Sequence, residues 1–421
     1  MRLTEIPQGF RTLLPKEVRQ REELFKKLTK VVELWGYEPL LPPTIEFLEV
    51  FKAVDEKLEE ISFKLVDRKT GRLMAVRPDF TPQVSRVVAS SFKDEDPPFR
   101  FYYWGKIFRD AGNEREISQL GIELLGVDEV EADAEVIGVV ANGLSELGIK
   151  SFQIDIGHGL FLEGALRELE IEGEEKEELV EILRHKDFSG IDLFSQKLKL
   201  TGEKREKLFN LLELYGKEEV LERAKALFKN PLSQRAISEL SSVYKILKSY
   251  GFEEKVIFDL SEKRGMGYHT GITYEVFHPL LSSPLGIGGR YDQLLKKFGR
   301  ELPATGIALN LDSLMELLEK KRVSLSREEK DFYIIDLKKE LHVAYHLAKE
   351  LRELGYSVAR DILKRDYRKS VEVAFSKGYR FVVVLNREES PVNVLFTSPE
   401  NFVDLGEEPL KRILELVRNF N

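Results

Sequence analysis

The sequence predicts an α+β fold, an antiparallel sheet flanked by helices, with a helical insertion and a small C-terminal α/β domain. Three observations support this. Strand patterns in residues 1–319 come in hairpin-like pairs, whose strands run antiparallel. Residues from about 160–251 show only charged amphipathic helical patterns, and residues 331–421 alternate strand with helix. We therefore expect a core over 1–319, a charged linker over 320–330 and a separate domain over 331–421.

The core begins with a helix, since apolar residues recur at helical spacing from Leu24 to Trp35. Pro15 suits the first helical turn and Gly36 ends the pattern. After a proline-rich extended segment, residues 63–67 and 72–76 predict a hairpin. A longer strand pair follows, then a helix from about Glu131 to Leu147 and a strand that ends near Gly157.

Strand patterns return after the insertion. Residues 255–260 and 271–277 are apolar and rich in β-branched residues, and residues 305–321 predict a strand that runs into a helix. In the C-terminal domain the order is strand, helix, strand, helix, strand, from residue 331 to residue 386. Such alternation predicts a small sandwich with a largely parallel sheet.

Composition restricts the class of protein. The formal net charge is −8 and the pI about 5.6. The chain as a whole therefore lacks the positive charge that is typical of nucleic-acid-binding proteins. The chain has no cysteine, which excludes disulfides, cysteine nucleophiles and thiolate metal sites. His342 and His346 have helical ligand spacing, but their surroundings lack the HExxH pattern, and we expect neither metal nor cofactor. We expect a cytoplasmic protein that does not enter the membrane.

One predicted strand, residues 116–125, carries an unusual polar face. Gln119, Gly121 and Glu123 alternate with apolar residues and so point to one side. A glycine between polar residues leaves room for a ligand on the sheet, and the carboxylate suits an ammonium group. Arg109 ends the preceding aromatic strand and stands at the mouth of this hairpin. For an isolated strand, a face that simply meets water explains the pattern as well.

Four segments give the chain a family resemblance. Arg77–Thr81 (RPDFT), Phe108–Glu123 (FRDAGNEREISQLGIE), Arg264–Glu275 (RGMGYHTGITYE) and Gly288–Asp292 (GGRYD) occur in this order. Together they resemble the catalytic core of class II aminoacyl-tRNA synthetases, and within that class histidyl-tRNA synthetase. The resemblance implies the class II fold for the core and an anticodon-binding-like fold for the C-terminal domain.

The resemblance also implies a pocket for histidine. In the synthetase, an acidic residue and a threonine of the first segment hold the amino group, and Gln and Glu of the second also contact histidine. Carried over onto this chain, and including Arg109 for the carboxylate and the tyrosines for the imidazole ring, the histidine-binding residues are Asp79, Thr81, Arg109, Gln119, Glu123, Arg264, Tyr268, His269 and Tyr291.

Two departures concern the nucleotide. The synthetase's second motif places an adenine-reading glutamate where this chain has Ala111, and its third motif ends in a phosphate-clamping arginine where this chain has Ser313. Serine cannot supply the bidentate positive fork that developing phosphate charge needs. A pocket that keeps the residues for binding an amino acid and lacks those for binding a nucleotide indicates a histidine sensor without catalytic residues.

This combination resembles the regulatory subunits of ATP phosphoribosyltransferase, a synthetase-derived family. The resemblance implies a partner, the short-form catalytic subunit of that enzyme, a homodimer within a hetero-octamer, and histidine as feedback inhibitor of the first step of histidine biosynthesis. Nucleic acid is an unlikely partner on this interpretation. The alternative is a histidyl-tRNA synthetase, which charges tRNA with histidine at the expense of ATP.

Overall fold

The computed structural model describes residues 3–261, 267–325, 330–337, 341–363, 366–389 and 391–420. The chain divides into two compact units, Met1–Leu325 and Ser326–Asn421. Each has its own apolar clusters. Among the described residues, no helix has both the length and the apolar character needed to span a bilayer.

The first helix of this unit is the predicted long one, which begins at Pro15 and ends at Leu34, two residues before Gly36. Its buried face includes Leu24, Leu28 and Val32 at helical spacing. The elements up to the insertion are α1 Pro15–Leu34, β1 Glu38–Pro39, β2 Ile45–Phe47, α2 Leu48–Lys52, α3 Glu56–Glu60, β3 Phe63–Val66, β4 Leu73–Val76, α4 Thr81–Ser91, β5 Phe99–Phe108, β6 Glu116–Leu125, α5 Glu131–Glu146 and β7 Gln153–His158.

The insertion is helical, as predicted, but it also contributes a short strand that the sequence did not indicate. Its elements are α6 Gly159–Leu169, α7 Gly173–Arg184, α8 Phe188–Lys197, α9 Gly202–Leu212, β8 Tyr215–Gly216, α10 Glu219–Leu227 and α11 Pro231–Ser249. A strand of two residues is too short to show an alternating pattern, and β8 forms only because the next strand pairs with it.

After the insertion the unit is completed by β9 Val256–Asp259, β10 Ile272–Phe277, β11 Gly286–Arg290, β12 Ala304–Asn310 and α12 Leu311–Lys320. The described residues form a nine-stranded sheet in the order β1-β5-β6-β12-β11-β10-β7-β9-β8, and β2, β4 and β3 form a smaller sheet. The central pairs from β5 to β7 are antiparallel, whereas β1·β5 and β7·β9 are parallel. The predicted antiparallel sheet flanked by helices is confirmed for this core.

The second unit contains β13 Lys330–Asp336, α13 Leu341–Glu353, β14 Val358–Arg360, α14 Tyr367–Ser376, β15 Tyr379–Leu385, β16 Val394–Phe396, β17 Phe402–Asp404 and α15 Pro409–Phe420. Its sheet has the order β14-β13-β15-β16-β17. The first three strands are parallel, but β16 and β17 pair antiparallel, so the expectation of a largely parallel sheet was incomplete. Each of these two strands has three residues, which is too short to show an alternating pattern in the sequence.

Candidate functional site

A cavity of about 240 Å³ lies on one face of the large sheet, above β6, β12 and β11. Eight of the nine residues predicted to bind histidine line it, and the ninth, Arg264, lies outside the described residues. The eight are Asp79, Thr81, Arg109, Gln119, Glu123, Tyr268, His269 and Tyr291. Residues that are distant in sequence therefore share one site, and their role as histidine ligands stays a prediction.

The alternation of β6 positions the floor as the sequence indicated, since Gln119 and Glu123 both line the cavity. Gly121 acts differently from our expectation. A side chain there would overlap the ring of Tyr103 on the neighbouring strand β5, so the glycine makes room for this ring rather than directly for a ligand. The buried Tyr103 ring stacks on Phe80, with ring centroids 4.3 Å apart. The Tyr103 ring therefore lies on the same face of the sheet as the side chains of Gln119 and Glu123, and aromatic packing holds it there.

Glu123 is the most buried acidic group of the cavity, with 1% of its surface exposed. One carboxyl oxygen accepts a hydrogen bond from the Thr81 hydroxyl at 2.7 Å and the other from the Tyr291 hydroxyl at 2.6 Å. Gly306 on β12 allows this placement, because a Cβ there would overlap the carboxyl group. Burial raises the pKa of Glu123 to about 8, although both hydroxyl donors act to lower it.

Asp79 provides a second carboxyl group at the same end of the cavity. It accepts hydrogen bonds from the Thr81 backbone N–H at 2.9 Å and from the Tyr268 hydroxyl at 3.1 Å. Burial raises the pKa of Asp79, and the positive charge of Arg109 opposes this shift. Two buried carboxyl groups that resist ionisation form a site in which a bound cation gains more than it would in water.

The titration of Glu123 predicts how the stability of the protein depends on pH. The folded state keeps a proton on Glu123 up to about pH 8, whereas the unfolded chain loses it near the ordinary value of 4.5. Its contribution to the free energy of unfolding is therefore full below the unfolded pKa and is lost as pH rises towards 8. In urea titrations, wild type should lose about 1 kcal/mol per pH unit relative to Glu123→Gln in this window. Parallel pH profiles would contradict the assignment.

Arg109, which follows the end of β5, contributes a guanidinium group to the cavity. Its Nε donates to the Pro78 carbonyl at 3.1 Å, and its backbone N–H donates to the Arg115 carbonyl across the hairpin loop. Gln119 and Asn310, which pair across β6 and β12, line the cavity as well. The cavity therefore combines acidic groups, amide groups and a guanidinium group, the set that an amino acid requires.

Aromatic rings form another wall. Tyr268 and Tyr291 meet edge to face, with centroids 6.0 Å apart, and the His269 ring lies 4.9 Å from that of Tyr268. His269 packs on Gly289, where a Cβ would come within 2.8 Å of its ring. Burial raises the pKa of both tyrosines well above 10, so their hydroxyls stay protonated and can donate hydrogen bonds.

The sequence analysis missed part of the lining. Ser283, Pro284 and Ile287, from the β10–β11 connection and the start of β11, line the cavity, as does Asn310 at the end of β12. Ile287 is 39% exposed, which is unusual for an isoleucine on a central strand. The alternation along 286–290 could have indicated its direction, but no residue pattern indicated that Ser283 and Pro284 fold over the cavity.

Ala111 and Ser313, the two positions at which the sequence predicted a departure from the synthetase pattern, do not line the cavity. Ala111 is exposed in the β5–β6 loop. Ser313 is buried in the first turn of α12, where its N–H donates to the capping Asn310 side chain at 3.1 Å. Asp312, the residue before Ser313, accepts hydrogen bonds from the Arg21 guanidinium at 2.5 Å and from the Ser118 N–H at 2.7 Å. The described residues at these positions provide no positive group directed at the cavity.

Comparison with known proteins identifies the family. The histidyl-tRNA synthetase family matches residues 9–314. The regulatory subunit of ATP phosphoribosyltransferase from Syntrophotalea carbinolica is 35% identical over 395 residues, covering 93% of this chain and 92% of the relative. The chain belongs to the family of ATP phosphoribosyltransferase regulatory subunits. Its member from Desulforamulus reducens is 36% identical, covering 92% of this chain and 97% of the relative.

Solved structures agree with this family and its fold. A Bacillus halodurans structure described as an ATP phosphoribosyltransferase regulatory subunit/histidyl-tRNA synthetase has a TM-score of 0.81 and 32% identity, covering 91% of this chain and 98% of its own. A histidyl-tRNA synthetase from Nostoc has a TM-score of 0.80 at 23% identity, covering 99% of this chain and all of its own, which shows the fold alone. The class II synthetase-like fold predicted from the sequence is confirmed.

Proposed function

We propose that this regulatory subunit binds histidine in the cavity and, in response, inhibits a short-form ATP phosphoribosyltransferase catalytic subunit that needs it for activity. The observation that carries the proposal is the pair of buried carboxyl groups, Asp79 and Glu123, at one end of a cavity that also contains Arg109 and amide groups. Such a site suits a zwitterion, because it offers acceptors for an ammonium and donors for a carboxylate.

In this arrangement the α-ammonium of histidine lies between Asp79 and Glu123, and Arg109 or Gln119 receives the carboxylate. The rings of Tyr268 and Tyr291 form a wall for the imidazole. Their hydroxyl protons are donated to Asp79 and Glu123, so the hydroxyl oxygens can accept a hydrogen bond from a ring N–H. Because burial holds Glu123 protonated near neutral pH, a bound ammonium displaces that proton and replaces it with a direct ion pair. Histidine binding therefore converts the buried neutral acid of Glu123 into a carboxylate that is paired with the ammonium. This change in charge state can favour one state of the assembly over another.

Feedback inhibition requires histidine to bind two states of the assembly unequally, by about 1–3 kcal/mol. The family supports a catalytic partner, and we propose a hetero-octamer of four catalytic and four regulatory chains in which the regulatory chains form homodimers. The chain itself carries no catalysis on this proposal, since Ala111 and Ser313 stand where the synthetase binds ATP. Nucleic acid is not among the proposed partners.

Reconstitution tests the proposal. The purified chain should co-elute with a short-form catalytic subunit from the same source and raise its phosphoribosyl-transfer rate at least about tenfold, an effect of about 1.4 kcal/mol or more. Histidine should then reverse this activation, with the same concentration dependence as its binding to the isolated chain. Activation that histidine leaves unchanged would contradict the sensing role, and a catalytic subunit that is fully active alone would contradict the regulatory role.

One observation favours a second candidate. The cavity keeps the residue types with which a histidyl-tRNA synthetase binds its amino acid, and the Bacillus halodurans relative is described by both names. Histidine binding alone therefore does not separate the two functions, whereas histidine-dependent ATP chemistry does.

A further inference from the structure

The loop that begins with Arg109 is held by residues 8–10, which we call the anchor segment. The Arg115 N–H, at the end of the β5–β6 loop, donates to the Gly9 carbonyl at 3.1 Å, and the Arg115 Nη1 donates to the Gln8 carbonyl at 3.5 Å. Gly9 has a φ of +82°, and a Cβ there would come within 2.7 Å of the Arg115 side chain. The anchor segment and the loop are therefore closer together than any residue other than glycine allows at this position.

The Arg115 side chain extends this contact across two aromatic rings. Its guanidinium lies over the Phe63 ring at 4.6 Å and over the Phe10 ring at 5.6 Å. It also forms an ion pair with Asp110, which stands near the other end of the loop. Arg115 thus joins the anchor segment, the first residue of β3 and both ends of the loop.

Arg115 is also bonded directly to a residue that lines the cavity. The Arg109 N–H donates to the Arg115 carbonyl at 3.0 Å, and the Arg109 Nε donates to the Pro78 carbonyl at 3.1 Å. Arg109 lines the cavity, whereas Arg115 does not. The anchored Arg115 therefore fixes the backbone from which the Arg109 guanidinium reaches the cavity.

We propose that Arg115 is a positioning residue, which uses the anchor segment to hold Arg109 where it receives the carboxylate of the ligand. The inference rests on the proposed histidine-sensing function. A guanidinium that binds a carboxylate through two parallel N–H groups depends on its orientation, so a loosened loop weakens this contact in particular. The contacts to the ammonium and the imidazole come from other elements. Because coupling is reciprocal, a bound carboxylate also strengthens the hold of the anchor segment on the loop.

Calorimetry with two ligands on the full chain tests this inference. Arg115→Met should bind L-histidine about tenfold more weakly than wild type, a typical size for coupling between sites. It should bind L-histidinol, which has an alcohol in place of the carboxylate, as wild type does. The matched control is Arg72→Met, because the Arg72 guanidinium also lies over a ring of the small sheet, that of Phe47 at 3.4 Å, and pairs with Glu49 at 3.7 Å. This control should bind both ligands as wild type does.

The outcomes separate the inference from the function on which it rests. Equal affinity of wild type and Arg115→Met for L-histidine would overturn the inference alone. An equal loss of affinity for both ligands would also overturn it, because a purely structural role predicts that result. A wild type that does not bind L-histidine would overturn the proposed function and the inference with it.

A second variant changes the same contact from the anchor segment and leaves the Arg115 side chain intact. Gly9→Ala places a Cβ against the Arg115 side chain, and its control is Gly36→Ala, at a φ of +83° with open space around the added Cβ. Gly9→Ala should weaken L-histidine binding as Arg115→Met does. The double variant should bind no more weakly than the weaker single variant, because both changes break one contact. Losses that add, or a Gly9→Ala protein that binds like Gly36→Ala, would overturn the inference even where L-histidinol binds too weakly to measure.

Hydrogen exchange measures the reciprocal effect. L-Histidine should slow exchange of the Arg115 amide, which donates to the Gly9 carbonyl, in wild type but not in Gly9→Ala. The Asp67 amide, which donates to the Arg72 carbonyl at 2.9 Å, should exchange equally with and without ligand. Equal slowing of the Arg115 amide in wild type and Gly9→Ala would overturn the inference.

Discussion

Glu123→Gln should lower the affinity for histidine by at least about 100-fold while the protein stays folded. The buried carboxylate is the partner we assign to the α-ammonium, and breaking a buried ion pair by removing one partner costs about 3–5 kcal/mol. The variant should be more stable than wild type at neutral pH, because glutamine resembles the neutral acid and its folding does not require the uptake of a proton by an ionised carboxylate. The amide can keep one contact each with Thr81 and Tyr291, which now hold the carboxyl group. Calorimetry and thermal unfolding measure the two quantities.

Two comparisons make this result specific. Glu116→Gln changes a glutamate at the start of the same strand, where it pairs with Lys106, and should leave histidine affinity unchanged. A histidine analogue without the α-amino group should bind wild type weakly and Glu123→Gln no more weakly. If the variant weakened both ligands equally, Glu123 would have another role than the ammonium partner. Unchanged affinity for histidine would remove Glu123 from the site altogether.

The polar face of β6 was predictable because it depends on a local period of two residues. Gln119 and Glu123 lie on that face as expected, and Asp79, Thr81 and Tyr291 were found through the family resemblance of short motifs. The packing that fixes Glu123 was not predictable. It depends on Gly306, which lies 183 residues further along the chain (306 − 123) but is adjacent in the sheet, where it pairs with Glu123.

The role of Gly121 shows the same limit more sharply. The sequence indicated free space above this glycine, but the Tyr103 ring occupies it. The reason is the register of β5 and β6, which places Tyr103 opposite Gly121. Register between strands depends on the whole sheet and on turn geometry, so no single-strand pattern reveals it. An ion pair between Lys186 and the buried Asp259, 2.9 Å apart, was equally hidden, since a lysine in a charged helical segment is usually a solvated surface residue.

The second large effect concerns the nucleotide. Histidine-dependent exchange of pyrophosphate into ATP should be at least about 1,000-fold slower than in an active histidyl-tRNA synthetase, because the loss of one transition-state donor alone costs about 100- to 1,000-fold. By the resemblance, Ala111 and Ser313 stand at two positions where the synthetase binds its nucleotide. In addition, the carboxylate of Asp312 stands beside Ser313, paired with Arg21 and Arg11, and the pKa of Asp312 is lowered by the Ser118 N–H and these arginines despite its burial. Asp312 therefore engages the guanidinium groups of Arg21 and Arg11 in ion pairs and supplies no positive charge of its own.

The exchange assay also decides between the two candidate functions, provided that histidine binding is shown on the same preparation. Wild type should bind histidine in calorimetry and still give no exchange above the level of a protein-free control. Restoring Ser313→Arg alone should leave exchange at that level, because the adenine-reading position remains alanine and effects of groups that act together are not additive. Exchange at a synthetase-like rate in wild type would contradict the regulatory proposal, because adenylate transfer needs positive groups on the phosphates, and the resemblance places Ala111 and Ser313 at two of the synthetase's nucleotide-binding positions.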